Sequence, residues 1–126
     1  MKLALTALLV RDYDEAIDWY GRVLGFRLVA DRDMGGGKRW VEIAADGGGA
    51  LLLAMAKKPE EQAAIGNQFG GRVGLFLHVE DFDATYRRLV DAGAQFDDQP
   101  RDEPYGKVVV FRDLYGNRWD LIEPKE

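Results

Sequence analysis

The hydrophobic and polar positions of this chain form one pattern that occurs twice. The first copy opens with an apolar run, Leu3 to Val10, which leads into Arg11-Asp12-Tyr13-Asp14-Glu15. Asp12 stands where a helix N-cap is wanted, and Glu15, three residues on, completes a capping box. Tyr13, Ala16, Ile17, Tyr20 and Leu24 then share one face at helical spacing, and Gly25 stops the helix. Three strand-like runs follow: Phe26 to Arg32, Arg39 to Ala45 and Ala50 to Ala56. Glycine-rich turns at 35–37 and 46–49 separate them.

The second copy begins at Val73-Gly74-Leu75-Phe76-Leu77-His78-Val79. Asp81 caps, Phe82, Thr85, Tyr86 and Leu89 form the helical face, and Gly93 stops it. Strand ends, caps and helix faces of the two copies are offset by 69 residues; from the stop glycines onward the offset is 68. The later runs are Gln95 to Asp98, Lys107 to Arg112 and Arg118 to Glu123. Arg39 thereby corresponds to Lys107, and Leu52 to Asp120. The chain reads as a tandem duplication of a strand–helix–strand–strand–strand unit, an α+β fold. Module one spans 1–56, module two spans 73–126, and a polar connector with one short helix occupies 57–72.

Composition narrows the chemistry. A chain of 126 residues is long enough for a genuine core. It holds no cysteine and no serine, so disulfides, thiolate metal sites and cysteine or serine nucleophiles are excluded. A net charge of −5, with basic residues scattered among acids, argues against nucleic acid and admits a cationic guest. The apolar run at Leu3 is too short to span a bilayer and lacks a cleavage site, so it reads as a buried strand and the expected location is the cytoplasm.

Two stretches carry a resemblance. VRDYDEAIDWYGRVLGF, near the N-terminus, resembles the first-module signature of the vicinal oxygen chelate superfamily, and FRDLYGNRWDLIEP resembles its closing signature. That superfamily includes glyoxalase I, bleomycin-resistance proteins, fosfomycin-resistance enzymes and extradiol dioxygenases. The resemblance implies paired βαβββ modules whose open, curved sheets surround a cavity, commonly in a homodimer. It also implies a metal site built from the first and last strands of both modules. Here those positions are Leu5, Leu52, Gly74 and Asp120, of which only Asp120 is a donor. One carboxylate does not hold a divalent ion. The expectation is therefore a member with no metal and no cofactor.

Strand alternation assigns the remaining candidates. Gly74, Phe76 and His78 should face the cavity, as should Arg118, Asp120 and Ile122. With Leu5, Trp40 and Leu52 they complete the expected ligand cavity. Glu42, Tyr105 and Phe111 are further lining candidates, and Arg39 beside Trp40 would set a cation at the cavity. Asp120 is expected to find a partner in Arg118, Lys107 or a cationic ligand. The expected function is binding of a small amphiphilic, cation-bearing molecule in a metal-free cavity. The alternative is a lyase, isomerase or dioxygenase that uses Asp120 as base, with Arg118 stabilising the anion, or an unrecognised divalent metal site. A small-molecule ligand and a homodimer are the expected partners, with no nucleic acid and no membrane.

Overall fold

The structure, a computed structural model, describes all 126 residues. They divide into two compact units, Met1–Gln68 and Phe69–Glu126. The first contains β1 (Thr6–Val10), α1 (Tyr13–Leu24), β2 (Arg27–Gly35), β3 (Lys38–Ala44), β4 (Ala50–Met55) and α2 (Pro59–Ala64). The second contains β5 (Leu75–His78), α3 (Phe82–Asp91), β6 (Gln95–Phe96), β7 (Arg101–Glu103), β8 (Gly106–Arg112) and β9 (Arg118–Pro124). The α+β class expected from the sequence is observed, as two open sheets with no closed barrel. No helix is long and apolar enough to cross a membrane.

The first sheet has the order β1-β4-β3-β2, with β1 parallel to β4 and the other pairs antiparallel. Leu8, Val10, Val41, Ile43, Leu51 and Leu53 are buried. They alternate with less buried neighbours, so one face of the sheet is committed to α1. That helix supplies Tyr13, Ala16, Tyr20 and Val23 to the same core. Asp12 caps it as expected, accepting a hydrogen bond from the Glu15 N–H at 2.8 Å. β2 runs three residues past the expected Arg32, because the hairpin turn needs only Gly36 and Gly37. Both have positive φ, 64° and 82°, the geometry of a two-residue turn that matches strand twist.

The second sheet repeats the plan in the order β5-β9-β8-β6, with β5 parallel to β9. One expected strand is shorter than its run, and a strand that was not expected follows it. The run expected at Gln95 to Asp98 ends at Phe96, and pairing with β8 resumes at Arg101. Pro100, which has no N–H to give a ladder, lies in the gap. At the break, Asp97 N–H still donates to the Val110 carbonyl at 3.0 Å. The Asp98 carboxylate accepts the Val110 N–H at 2.9 Å, standing in for the missing backbone carbonyl.

Each unit contains the same charged clamp. In the first, the Arg39 guanidinium lies 5.1 Å from the centre of the Tyr13 ring and 2.9 Å from Asp14. In the second, Lys107 Nζ lies 5.0 Å from the centre of the Phe82 ring and 2.7 Å from Asp83. A cation on a central strand thus holds the first turn of the helix through an aromatic face and a carboxylate. Arg39 adds a two-point contact to Asp31, at 2.7 and 3.1 Å. Arg39 and Lys107 therefore belong to the helix side of their sheets. The expectation that Arg39 would present its charge beside Trp40 is corrected: the two alternate, and only Trp40 is on the open face.

The β8–β9 turn is held by a buried carboxylate. Asp113, 6% exposed, accepts the backbone N–H groups of Tyr115 at 3.0 Å and Asn117 at 2.9 Å. It also accepts the Asn117 side-chain amide at 3.0 Å and the Trp119 indole N–H at 3.3 Å. Four donors on one buried anion make its removal costly, since each is left without a partner. Asp113→Ala is expected to lower unfolding free energy by about 3 kcal/mol in a urea titration. Asp113→Asn, which keeps only part of the acceptor capacity, should fall between the two.

Candidate functional site

Because the apolar faces are committed to the helices, chemistry is carried by the opposite faces. On the second sheet, register brings the site candidates into rows. Phe76 pairs with Asp120, which pairs with Val110. His78 pairs with Ile122, which pairs with Val108, which pairs with Arg101. Just ahead of β5, Gly74 N–H donates to the Arg118 carbonyl at 3.2 Å. Asp120 thus stands beside Phe76, and Gly74 is one row away, beside Arg118. Phe76 is 55% exposed, and His78 is also exposed at the strand end. Ile122 is buried and Phe111 is completely so, its ring stacked on Trp119 at 5.8 Å on the helix side. Phe111 is therefore core, not lining.

On the first sheet, Ala7, Leu52, Glu42 and Ala30 form one row across the open face. Trp40 shares that face, opposite Arg32. Leu5 precedes β1. The Gln68 side chain completes the β1 edge: its amide donates to the Ala7 carbonyl at 2.9 Å and accepts the Leu9 N–H at 2.8 Å. One side chain thereby does the work of a neighbouring strand at that point.

The residues at the four implied metal positions do not fit a metal. Leu5 and Leu52 have no donor atoms, and no three His, Asp or Glu side chains are grouped to hold an ion. The Gly74 position is also filled. A Cβ built there would lie 2.1 Å from Cγ of Phe69, so the Phe69 ring occupies the space a ligating side chain would need.

Asp120 has neither of its expected partners. Arg118 Nε is 2.7 Å from Asp97 Oδ2, and Arg118 Nη1 donates to the Gly71 carbonyl. Asp97 is shared with Arg112 at 2.6 Å, and the Arg112 hydrogen bond holds its carboxyl below the ordinary range. Lys107 is engaged by Asp83. No hydrogen bond or ion pair within the chain reaches the part-buried Asp120 carboxylate. Burial pushes its pKa above the usual aspartate value; the charge of Arg101 pulls it down and that of Asp98 adds to the rise. Arg101 is itself bound by Asp98 at 2.9 Å and Glu103 at 2.8 Å.

The charges that act on Asp120 are therefore one cation, Arg101, and one carboxylate, Asp98, and the cation has the larger effect. Sequence reasoning missed Asp98 and Arg101, which come together only because the strand breaks at Pro100; the Asp-Asp-Gln-Pro run was the available signal. It also missed Phe69, whose signal was an aromatic set before two glycines.

Comparison with known proteins gives a consistent family. The model of the Glyoxalase/Bleomycin resistance protein/Dioxygenase superfamily matches residues 2–121. An uncharacterized protein of Shewanella frigidimarina is 50% identical over 120 residues, covering 93% of this chain and 89% of its own. Among solved structures, TnmS3, an antibiotic binding protein from Streptomyces sp. CB03234, aligns with a TM-score of 0.81 at 31% identity, over 99% of this chain and 97% of that one. A glyoxalase/bleomycin resistance protein from the same Streptomyces strain aligns with a TM-score of 0.72 at 30% identity, over 94% and 97% of the two chains.

Two outcomes are expected of this site. The first concerns pH. With its pKa raised on folding, Asp120 binds more protons in the native state than in the unfolded one, so its contribution to stability falls as pH rises above 3.8. Asp120→Asn should thus raise the melting temperature at neutral pH. That gain should disappear when both forms are melted at a pH well below 3.8. The second concerns metal: elemental analysis of purified protein should find no stoichiometric zinc, nickel, manganese or iron.

Proposed function

Because the chain belongs to the glyoxalase/bleomycin resistance protein/dioxygenase superfamily, we propose that it binds a small amphiphilic cation on the open face of its second sheet, without a resident metal. The observation that carries this reading is Asp120, a part-buried carboxylate with no partner in the chain, set beside the exposed ring of Phe76. An anion in that position is costly until a counter-charge arrives. Phe76 offers an apolar surface and a ring face to the same guest. The likeness to an antibiotic binding protein supports sequestration as the task. His78, Arg118 and Ile122 on the same sheet complete the proposed lining.

The reading includes a homodimer in the cytoplasm. Exposed Leu28, Val29 and Met34 on the edge strand β2 support self-association. Light scattering on a sizing column should give a mass twice that of one chain, and a monomer at micromolar concentration would remove this part.

Binding itself is tested by titration calorimetry with alkyltrimethylammonium and aryl-ammonium probes at low salt. Affinity should drop about tenfold in Asp120→Asn. It should also weaken with added sodium chloride, as screening requires. Equal binding of cationic and neutral probes of the same shape would sink the proposal.

A further inference from the structure

We propose that the first unit carries a binding site of its own, on its open face around Trp40, and that this site takes a small aromatic zwitterion. The face is fixed by side-chain contacts and by register. Arg39 reaches Tyr13 and Asp14 of α1, and Val41 and Ile43 are buried, so these positions of β3 are turned to the helix. Lys38, Trp40 and Glu42 therefore share the opposite face. Asp31 meets Arg39 on the helix side, and the pairing of β2 with β3 is continuous from Ala30 to Asp33. Ala30 and Arg32, which pair with Glu42 and Trp40, thus belong to the open face as well.

The charges on that face are sorted by sign. Lys38, Trp40 and Glu42 follow one another along β3 as cation, indole and anion, about 7 Å from one to the next. Arg32 stands across from Trp40 and sets a second cation at the indole. Glu42 lies in a row with Ala7, Leu52 and Ala30, all apolar. Register places Arg32 diagonal to Glu42, within reach of a long side chain, yet the two form no ion pair. The other acids of β2 are engaged elsewhere, Asp31 by Arg39 and Asp33 by the Gly35 N–H at 2.8 Å. Lys38 has no ion pair either, and the indole N–H of Trp40 has no acceptor. Trp40 and Glu42 are half-buried, whereas Arg32 and Lys38 are exposed.

Unused groups in this order specify a guest. A flat ring rests on the indole and on Leu52 beside it. An ammonium at one end of the ring meets Glu42. A carboxylate at the other end meets Arg32, whose guanidinium offers it two parallel N–H donors, with the charge of Lys38 behind. A guest with only a positive charge gains Glu42 but meets two cations, and one with only a negative charge meets Glu42. Opposite charges at the two ends satisfy both. The site belongs to one unit alone: the second copy has Val108 and Val110 at the equivalent positions, and its acid stands across the ladder at Asp120.

The test is an NMR titration with 4-(aminomethyl)benzoate, which carries both charges, and with benzylamine and benzoate, which carry one each. The indole N–H signal of Trp40, assigned by its loss in Trp40→Phe, should move. That of Trp119, which is held by Asp113, should stay in place. The zwitterion should bind about fivefold more tightly than either single charge. Glu42→Gln should weaken the zwitterion and benzylamine but not benzoate. Arg32→Gln should weaken the zwitterion and benzoate but not benzylamine. Both substitutions are at the surface, and each variant is checked first for an intact melting transition. A Trp40 signal that does not move at millimolar zwitterion, equal affinity for all three probes, or unchanged zwitterion affinity in either variant overturns the site. None of these results bears on the cation proposed at Asp120.

Discussion

A β-sheet has two faces, and in each unit of this protein one is spent on a helix. Everything else about the molecule depends on that commitment. Leu8, Val10, Val41, Ile43, Leu51 and Leu53 in the first unit, and Val109, Phe111, Trp119 and Leu121 in the second, are buried by it. The helices are held in place by more than apolar contact. A strand cation grips the first helical turn in both units, Arg39 on Tyr13 and Asp14, Lys107 on Phe82 and Asp83. What remains for ligand chemistry is the other face, and there the side chains are ordered by register.

Charge pairing then does the selecting. Nearly every acid near the open face of the second sheet is matched: Asp97 by Arg112 and Arg118, Asp98 and Glu103 by Arg101. These pairs consume the cations that sit near Asp120 in sequence. Asp120 is left as a carboxylate whose charged form burial disfavours, beside an aromatic ring that solvent reaches. The neighbouring turn is rigid for a separate reason, since Asp113 gathers four donors into one buried knot. The closing stretch of the chain thus combines a satisfied carboxylate, Asp113, that fixes the strand entry with an unsatisfied one, Asp120, further along the same strand segment.

Much of this was legible from the residues alone. Apolar period, N-caps and stop glycines are local signals, so the duplicated unit, the helix faces and the parity of Phe76, Asp120 and Trp40 followed from them. The four implied metal positions were also legible, because a leucine or a glycine has no donor wherever it lies. The split of β6 from β7 was not, although Pro100 marked the place. Whether a proline bends, ends or merely interrupts a strand depends on who takes the orphaned hydrogen bond, and here a side chain, Asp98, took it.

Side-chain partners divide the two kinds of knowledge most clearly. Sequence spacing nominated Arg118 and Lys107 as partners for Asp120 because both lie on nearby strands. Tertiary structure gave Arg118 to Asp97 and Lys107 to Asp83, and brought Arg101 near instead. Long cations reach several ångströms from their Cα, so their choice among acids is decided by packing and not by period. The Phe69 ring on Gly74 is the same lesson in apolar form. By itself the sequence determined which elements form and which face each strand residue takes, because backbone geometry is periodic. Only the folded chain decided which groups meet, because a contact between distant residues has no period to be read from.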